Sequence, residues 1–272
     1  MALDLNNKKP KAKKSTTRLI AFGFAMIILI GSLLLTLPFA NKSGQGNFLN
    51  ALFTATSATC VTGLVVADTY QNWTTFGQLV ILCMIQVGGL GFMTIGAYIS
   101  VLLKKRIGLQ EREQLQESVN ALEIAGVVRL VKKIVQGALC IEFLGAILLA
   151  LRFVPRFGTI KGIYFSLFHA VSAFCNGGFD LMGTDEAYSS LVAFEGDVLV
   201  NLVIVTLIIV GGIGFIVWDD VARNKWHFRR YLLHSKIVIT VTFLLTVLGT
   251  ILFLITEKDA AFAGMNPLER FL

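Results

Sequence analysis

The sequence predicts an all-α membrane protein that uses one unit twice: a span, a half-length helix, a small-residue loop and a second span. Three observations predict it. Hydrophobic residues make up 55% of the 272 residues and charged residues 15%, where a soluble domain carries about 25% charged residues; mean hydropathy is +0.73. The charges are bunched between long apolar runs, the pattern of bilayer-crossing helices. The stretch Leu52 to Leu64, LFTATSATCVTGL, also returns 115 positions later as Leu167 to Phe179, LFHAVSAFCNGGF, with Leu52/Leu167, Phe53/Phe168, Ala55/Ala170, Ser57/Ser172, Ala58/Ala173, Cys60/Cys175 and Gly63/Gly178 identical. A repeat at fixed offset decides architecture before any other reading.

Taken in order, Met1 to Arg18 is a basic cytosolic tail (Lys8, Lys9, Lys11, Lys13, Lys14, Arg18). The first unit occupies residues 19–103. Leu19 to Ala40 is a span, closed by Pro38 near the outer face; at 1.5 Å per residue it crosses about 30 Å of hydrocarbon. Phe48 to Ala58 is the first half-helix, Thr59 to Val66 an extended return, and Thr74 to Leu103 the second span, with Val87-Gly88-Gly89-Leu90-Gly91-Phe92 in its inner half. Residues 104–133 form a cytosolic loop whose Leu109 to Leu130 is amphipathic.

The second unit occupies residues 134–218: a span from Ile134 to Val154, an outer link from Phe157 to Ile163, a half-helix from Tyr164 to Ala173, a return from Phe174 to Phe179, and a span from Asp197 to Trp218. That span ends in Val210-Gly211-Gly212-Ile213-Gly214-Phe215, matching Val87 to Phe92 at an offset of 123, so the second outer loop is about eight residues longer. Residues 219–235 are a basic cytosolic loop. Residues 236–272 begin a third unit that stops before its loop, which marks the chain as a fragment or a part of a larger polypeptide.

Charge sets the orientation. The inner segments hold 18 of the 24 Lys and Arg, and the outer ones only Lys42, Arg152, Arg156, Lys161, Lys258 and Arg270. The positive-inside rule puts the amino terminus in the cytoplasm of a cell-membrane protein, with both loops entering from outside. Nine acidic residues face those six basics outside, and a negative mouth concentrates cations. The net charge of +7 clusters at span ends, which argues against nucleic acid. Four Cys without a CxxC pair and three His without zinc spacing read as packing residues. No nucleophile-base pair, metal set or phosphate loop supports an enzyme, and no cleavable signal is visible.

Non-helical backbone at membrane depth is tolerated only where it is buried or lines a wet cavity. Val61-Thr62-Gly63-Leu64-Val65 is similar to the Thr-Val-Gly-Tyr-Gly filter of potassium channels, in which carbonyl oxygens replace an ion's hydration shell. Carbonyls of successive residues face one way only if some residues adopt dihedrals that glycine reaches cheaply, and Gly63 and Gly178 fit that need. Each half-helix also aims a partial negative charge at the cavity. Neither loop contains Lys or Arg, so the expected passenger is a cation.

Ser57-Ala58-Thr59-Cys60-Val61-Thr62-Gly63-Leu64, Ser172-Ala173-Phe174-Cys175-Asn176-Gly177-Gly178-Phe179 and the paired Val-Gly-Gly-[Leu/Ile]-Gly-Phe runs resemble the Trk/Ktr/HKT superfamily of cation transporters, closest to its bacterial KtrB-type membrane subunit. The resemblance implies a four-repeat cation pore, of which this chain holds two complete repeats and a truncated third, and a homodimer. It implies a K+ filter of backbone carbonyls from Thr59, Cys60, Val61, Thr62, Gly63, Phe174, Cys175, Asn176, Gly177 and Gly178, with no cofactor in the chain. Glycine at the first filter, where some plant relatives that prefer Na+ carry serine, favours K+. It also implies a cytosolic nucleotide-binding regulatory ring as partner.

Other residues carry narrower expectations. Asp68 and Asp180 follow the two filters, either attracting ions at the outer mouth or holding loops by hydrogen bonds. Leu115, Leu122 and Val127 are expected as apolar anchors for the ring, and Arg223, Arg229 and Arg230 as its charge contacts, with anionic membrane lipid as the competing occupant. Gly88, Gly89, Gly91, Gly211, Gly212 and Gly214 read as close helix packing, His169 as structural, and Glu142 as a buried pairing within the bundle. The function expected is K+ uptake. The alternatives are a Na+-permeable or Na+-coupled (symport) carrier of the same fold, a secondary transporter with a midplane substrate site, or a scaffold or sensor that kept the fold but lost the pore.

Overall fold

A computed structural model describes residues 16–103, 108, 112, 114–116, 126–225 and 227–257. Its α-helices are α1 (Thr16–Thr36), α2 (Phe48–Cys60), α3 (Thr69–Asn72), α4 (Thr75–Leu90), α5 (Phe92–Leu102), α6 (Val127–Phe157), α7 (Thr159–Phe174), α8 (Val198–Gly212), α9 (Phe215–Asn224) and α10 (Leu233–Thr256). Among the described residues the only strand-like pairing is an isolated bridge between Asn41 and Trp73. The protein is all-α and membrane-embedded. Helices α1, α6 and α10 are long and apolar enough to cross a bilayer, and α4–α5 and α8–α9 qualify as broken spans.

Polar side chains start several helices by accepting N–H groups that the first turn leaves unpaired. Asn47 Oδ1 accepts from Leu49 and Asn50 at the start of α2, and Asp197 Oδ1 from Leu199 and Val200 at the start of α8. Thr74 Oγ1 accepts from Gly77 in α4.

The structure corrects the expected spans in two ways. The runs expected as continuous from Thr74 to Leu103 and from Asp197 to Trp218 bend by 96° and 99°. The breaks fall beside Gly91 (φ 79°) and Gly214 (φ 87°), a backbone region that side-chain-bearing residues enter only with strain. Hydropathy continues through both breaks and conceals them. The outer link expected from Phe157 to Ile163 shrinks to Gly158 alone (φ 83°), which folds α7 back against α6. The half-helices accordingly run from Phe48 to Cys60 and from Thr159 to Phe174.

The core sits around α2 and α7. Helix α2 packs on α1 and α4, and α7 on α6, α8 and α4. Small buried residues (Ala51, Thr54, Ala55, Ser57, Ala58) let α2 lie deep in the bundle, as close packing in lipid requires. Trp73, Ile81, Ile85, Leu149, Phe153, Phe165 and Phe168 fill the surrounding space. Outward faces are apolar: Phe22 and Leu33 on α1, Phe143 and Leu151 on α6. On α10 only Ser235 is buried.

A second, smaller core joins Ala97 of α5 and Val127, Val131 and Ile134 of α6 with Leu115. Leu115 and Val127, expected as apolar anchors for a partner, are 3% and 1% exposed and pack here against the protein's own helices. Leu122 lies outside the described residues, as do residues 1–15, most of 104–125, and 258–272.

Candidate functional site

The two loops expected as a filter leave the ends of α2 and α7 in the same way. Val61 (φ 57°) and Asn176 (φ 59°), 115 positions apart, both turn into the left-handed region, and Gly63 (φ 72°) and Gly178 (φ 69°) do so two residues later. Each turn is held by one equivalent bond. Thr62 N–H donates to the Ser57 carbonyl at 3.0 Å, and Gly177 N–H to the Ser172 carbonyl at 2.6 Å. Thr59, Cys60 and Phe174, expected in extended loop, belong to the last helical turns. Their end of the helix carries unpaired carbonyls and the negative pole.

The two loops meet. A Cβ added to Gly63 would lie 3.1 Å from the Gly177 carbonyl oxygen and 3.3 Å from Gly178 Cα, and one on Gly178 would lie 3.1 Å from Gly63 Cα. Glycine is therefore favoured twice over, by dihedral and by a fit in which a Cβ would press on the facing backbone. Cys60, Thr62, Asn176 and Gly178 are exposed, and Thr59, Phe174, Cys175 and Gly177 are buried behind them.

The glycine runs of α4 and α8 explain the depth of the half-helices. A Cβ on Gly88 would come within 2.1 Å of the Thr59 carbonyl oxygen, and one on Gly211 within 1.7 Å of the Phe174 carbonyl oxygen. Backbone thus lies on backbone at equivalent places, and close packing holds for Gly88, Gly89 and Gly211 but not for Gly91, Gly212 and Gly214, where a Cβ would meet nothing nearer than 3.6 Å.

Asp68 and Asp180 are both tied into loops. Asp68 is buried. Its Oδ1 accepts from Gln71 N–H at 2.7 Å as the cap of α3, and its Oδ2 accepts from Tyr188 N–H at 2.8 Å across 120 residues. Asp180, half-buried, accepts from Met182 N–H. His169 is structural: Leu181 N–H donates to its Nε2, so Nδ1 carries the proton and donates to the Phe165 carbonyl at 2.7 Å. Glu142, 3% exposed on α6, accepts from Gln86 Nε2 at 2.9 and 3.1 Å. Sequence reasoning had not singled out Gln86. Its only signal was a polar residue inside the apolar run of α4.

Arg223 pairs with Asp219 at 2.6 Å, while Arg229 and Arg230 are exposed on a short 3-10 turn. Buried Asp220 accepts from Leu232 N–H and Asn224 Nδ2, fastening α9 to the start of α10. Among the described residues no group of three or more His, Cys, Asp or Glu is placed to hold a metal ion.

The model of the TrkH cation transport protein family matches residues 3–262. The chain belongs to the TrkH family. It is 45% identical over 258 residues to the potassium/sodium uptake protein NtpJ of Enterococcus hirae, covering 94% of this chain and 56% of that one. The Ktr system potassium uptake protein B of Bacillus subtilis is 44% identical over 240 residues, covering 88% and 52%, and that of Vibrio alginolyticus 39% over 256 residues, covering 93% and 54%. This TrkH chain spans about half the length of the relatives it matches.

Proposed function

We propose that the chain is part of a membrane subunit that carries K+ into the cell, the ion passing over backbone carbonyls of the loops Thr59–Gly63 and Phe174–Gly178. One observation carries the reading. Two half-length helices end in loops of the same form, whose positive-φ glycines lie against each other so closely that a side chain would press on the neighbouring backbone. That arrangement supplies stacked oxygens and helix-end negative charge without a fixed ion pair, which suits a cation that must both enter and leave. Residues 19–103 and 134–218 are then two of four pore repeats, residues 236–272 the start of a third, and the amino terminus is cytoplasmic in the cell membrane.

The experiment replaces Gly63 or Gly178 with Ser in the full-length protein and measures uptake in a K+-deficient host. Reduced discrimination of K+ over Na+ is expected. Unchanged K+ affinity and Na+ rejection in both variants overturn the assignment.

A second reading is that Na+ is also carried. It is favoured by the relative named for potassium and sodium uptake, and radiotracer Na+ flux in the absence of K+ tests it. In the same proposal two copies form a dimer that docks a cytosolic nucleotide-binding ring. Arg229 and Arg230 are its exposed charge contacts and Arg223 a weaker one because of Asp219. Co-purification of Arg229→Ala/Arg230→Ala protein with the ring separates this from simple adhesion to anionic lipid.

A further inference from the structure

Behind the second loop, but not the first, lies a polar contact made by three elements. Gln86 projects from α4 and Glu142 from α6, and the amide donates to both carboxylate oxygens at 2.9 and 3.1 Å. The Cys175 thiol at the end of α7 lies 3.8 Å from Gln86 Oε1 and 4.0 Å from Glu142 Oε1. Cys175 is seated in a notch of α4: a Cβ on Gly89 would fall 2.6 Å from its Cβ and Sγ. The first loop has no such backing. Its Cys60 is exposed, and the positions equivalent to Glu142 and Gln86, at offsets of 114 (as Gly31 on Met84 matches Gly145 on Leu207) and 123, are Ile28 and Ile209.

We infer that Gln86 and Glu142 are positioning residues for cation selectivity, clamping the second filter loop through Cys175, a contact that the exposed Cys60 of the first loop lacks. Three facts bear on this. The pair joins α4, which follows the first loop, to α6, which precedes the second, so it sets the spacing between the two loops. Glu142 is buried, Gln86 is half-buried, and the two bond mainly to each other; a polar network with a buried member of that kind fixes one geometry. Its reach ends at Cys175, one residue before the left-handed turn at Asn176 and three before Gly178.

The inference rests on the filter reading above, and the test separates the two. Removing one partner alone leaves a buried group unpaired and endangers folding, whereas replacing both by apolar residues is tolerated far better. The decisive protein is therefore the full-length double variant Gln86→Ile/Glu142→Ile, which gives the second loop the surroundings of the first, beside Cys175→Ala and Glu142→Gln. K+ and Na+ uptake are measured in a K+-deficient host and normalised to membrane-inserted protein.

The double variant should lose K+/Na+ discrimination by roughly fivefold, the scale of coupling within one hydrogen-bonded network. Cys175→Ala should lose a comparable amount, with no further loss when the two are combined. Glu142→Gln, which keeps an acceptor for Gln86, should retain most of it. A purely structural role lowers normalised flux for both ions and leaves their ratio unchanged. Wild-type ratios in both the double variant and Cys175→Ala overturn the clamp. If Gly63→Ser and Gly178→Ser still alter selectivity, the filter reading stands without it; if they do not, the filter reading fails first.

Discussion

The two loops share a fold and differ in how it is held. At the first, a β-branched residue, Val61, occupies the left-handed turn and Cys60 is exposed; at the second, Asn176 takes the same dihedrals and Cys175 is buried against α4 and α6. Asparagine tolerates this region, whereas a β-branched residue there is an outlier. The first loop thus stores strain in its turn, and the second is relaxed there but braced from behind. Equal topology does not mean equal rigidity, and a filter assembled from such loops has a stiff side and a compliant one.

The largest expected effects test what the loops have in common. Gly88→Ala and Gly211→Ala each push a methyl into a carbonyl oxygen of a half-helix. Each should cost about 1–3 kcal/mol or more, with Gly211→Ala the worse because its approach is closer. Thermal unfolding of purified protein in detergent measures it, and wild-type stability in both would mean the half-helices are not wedged as described.

Exchanging the turn residues sharpens the contrast. Asn176→Val should destabilise by about 1–2 kcal/mol and Val61→Asn should stabilise by a smaller amount, given strain of about 1–3 kcal/mol for an unfavourable φ. Equal shifts of the same sign would erase the distinction between the loops.

A smaller effect is expected at Asp68 and Asp180. Asp68→Asn weakens two charge-assisted bonds and should cost about 1 kcal/mol, with faster amide exchange at Gln71 and Tyr188. Asp180→Asn should cost less, since it accepts one local N–H. Any rise in half-saturation for K+ from Asp180→Asn should fade at high salt, where screening shortens the reach of charge. The smallest effect belongs to Arg223→Ala, which breaks an exposed i,i+4 pair with Asp219 and should cost well under about 1 kcal/mol.

Much of this could be read from residues. The repeat placed both half-helices, and apolar length placed α1, α6 and α10. The glycines at 63 and 178 stood out because no apolar helix needs them. The breaks at Gly91 and Gly214 were hidden because the side chains on both sides of each are apolar, so hydropathy does not register a change in direction. The Gln86–Glu142 contact was hidden because it joins residues 56 positions apart on different helices, and only one half had drawn notice. Asp68, following a loop, read equally as a mouth charge or a loop-holding group; its two N–H partners, one of them Tyr188, depend on how a distant segment folds back. Leu115 and Val127 had the spacing of an amphipathic face, and spacing cannot say whether that face meets a partner or the protein's own helices.

The bends carry a consequence for the bilayer itself. Up to its break α4 has 16 residues and α8 has 15, which at 1.5 Å per residue gives about 24 and 22 Å against a hydrocarbon thickness of about 30 Å. Beyond each break the chain turns nearly perpendicular and adds almost nothing to depth. Next to these two helices the lipid must thin or water must reach inward, at a cost of fractions of a kcal/mol per ångström of mismatch. Reconstitution into lipids of increasing acyl-chain length should therefore tax this protein sooner than one with straight spans.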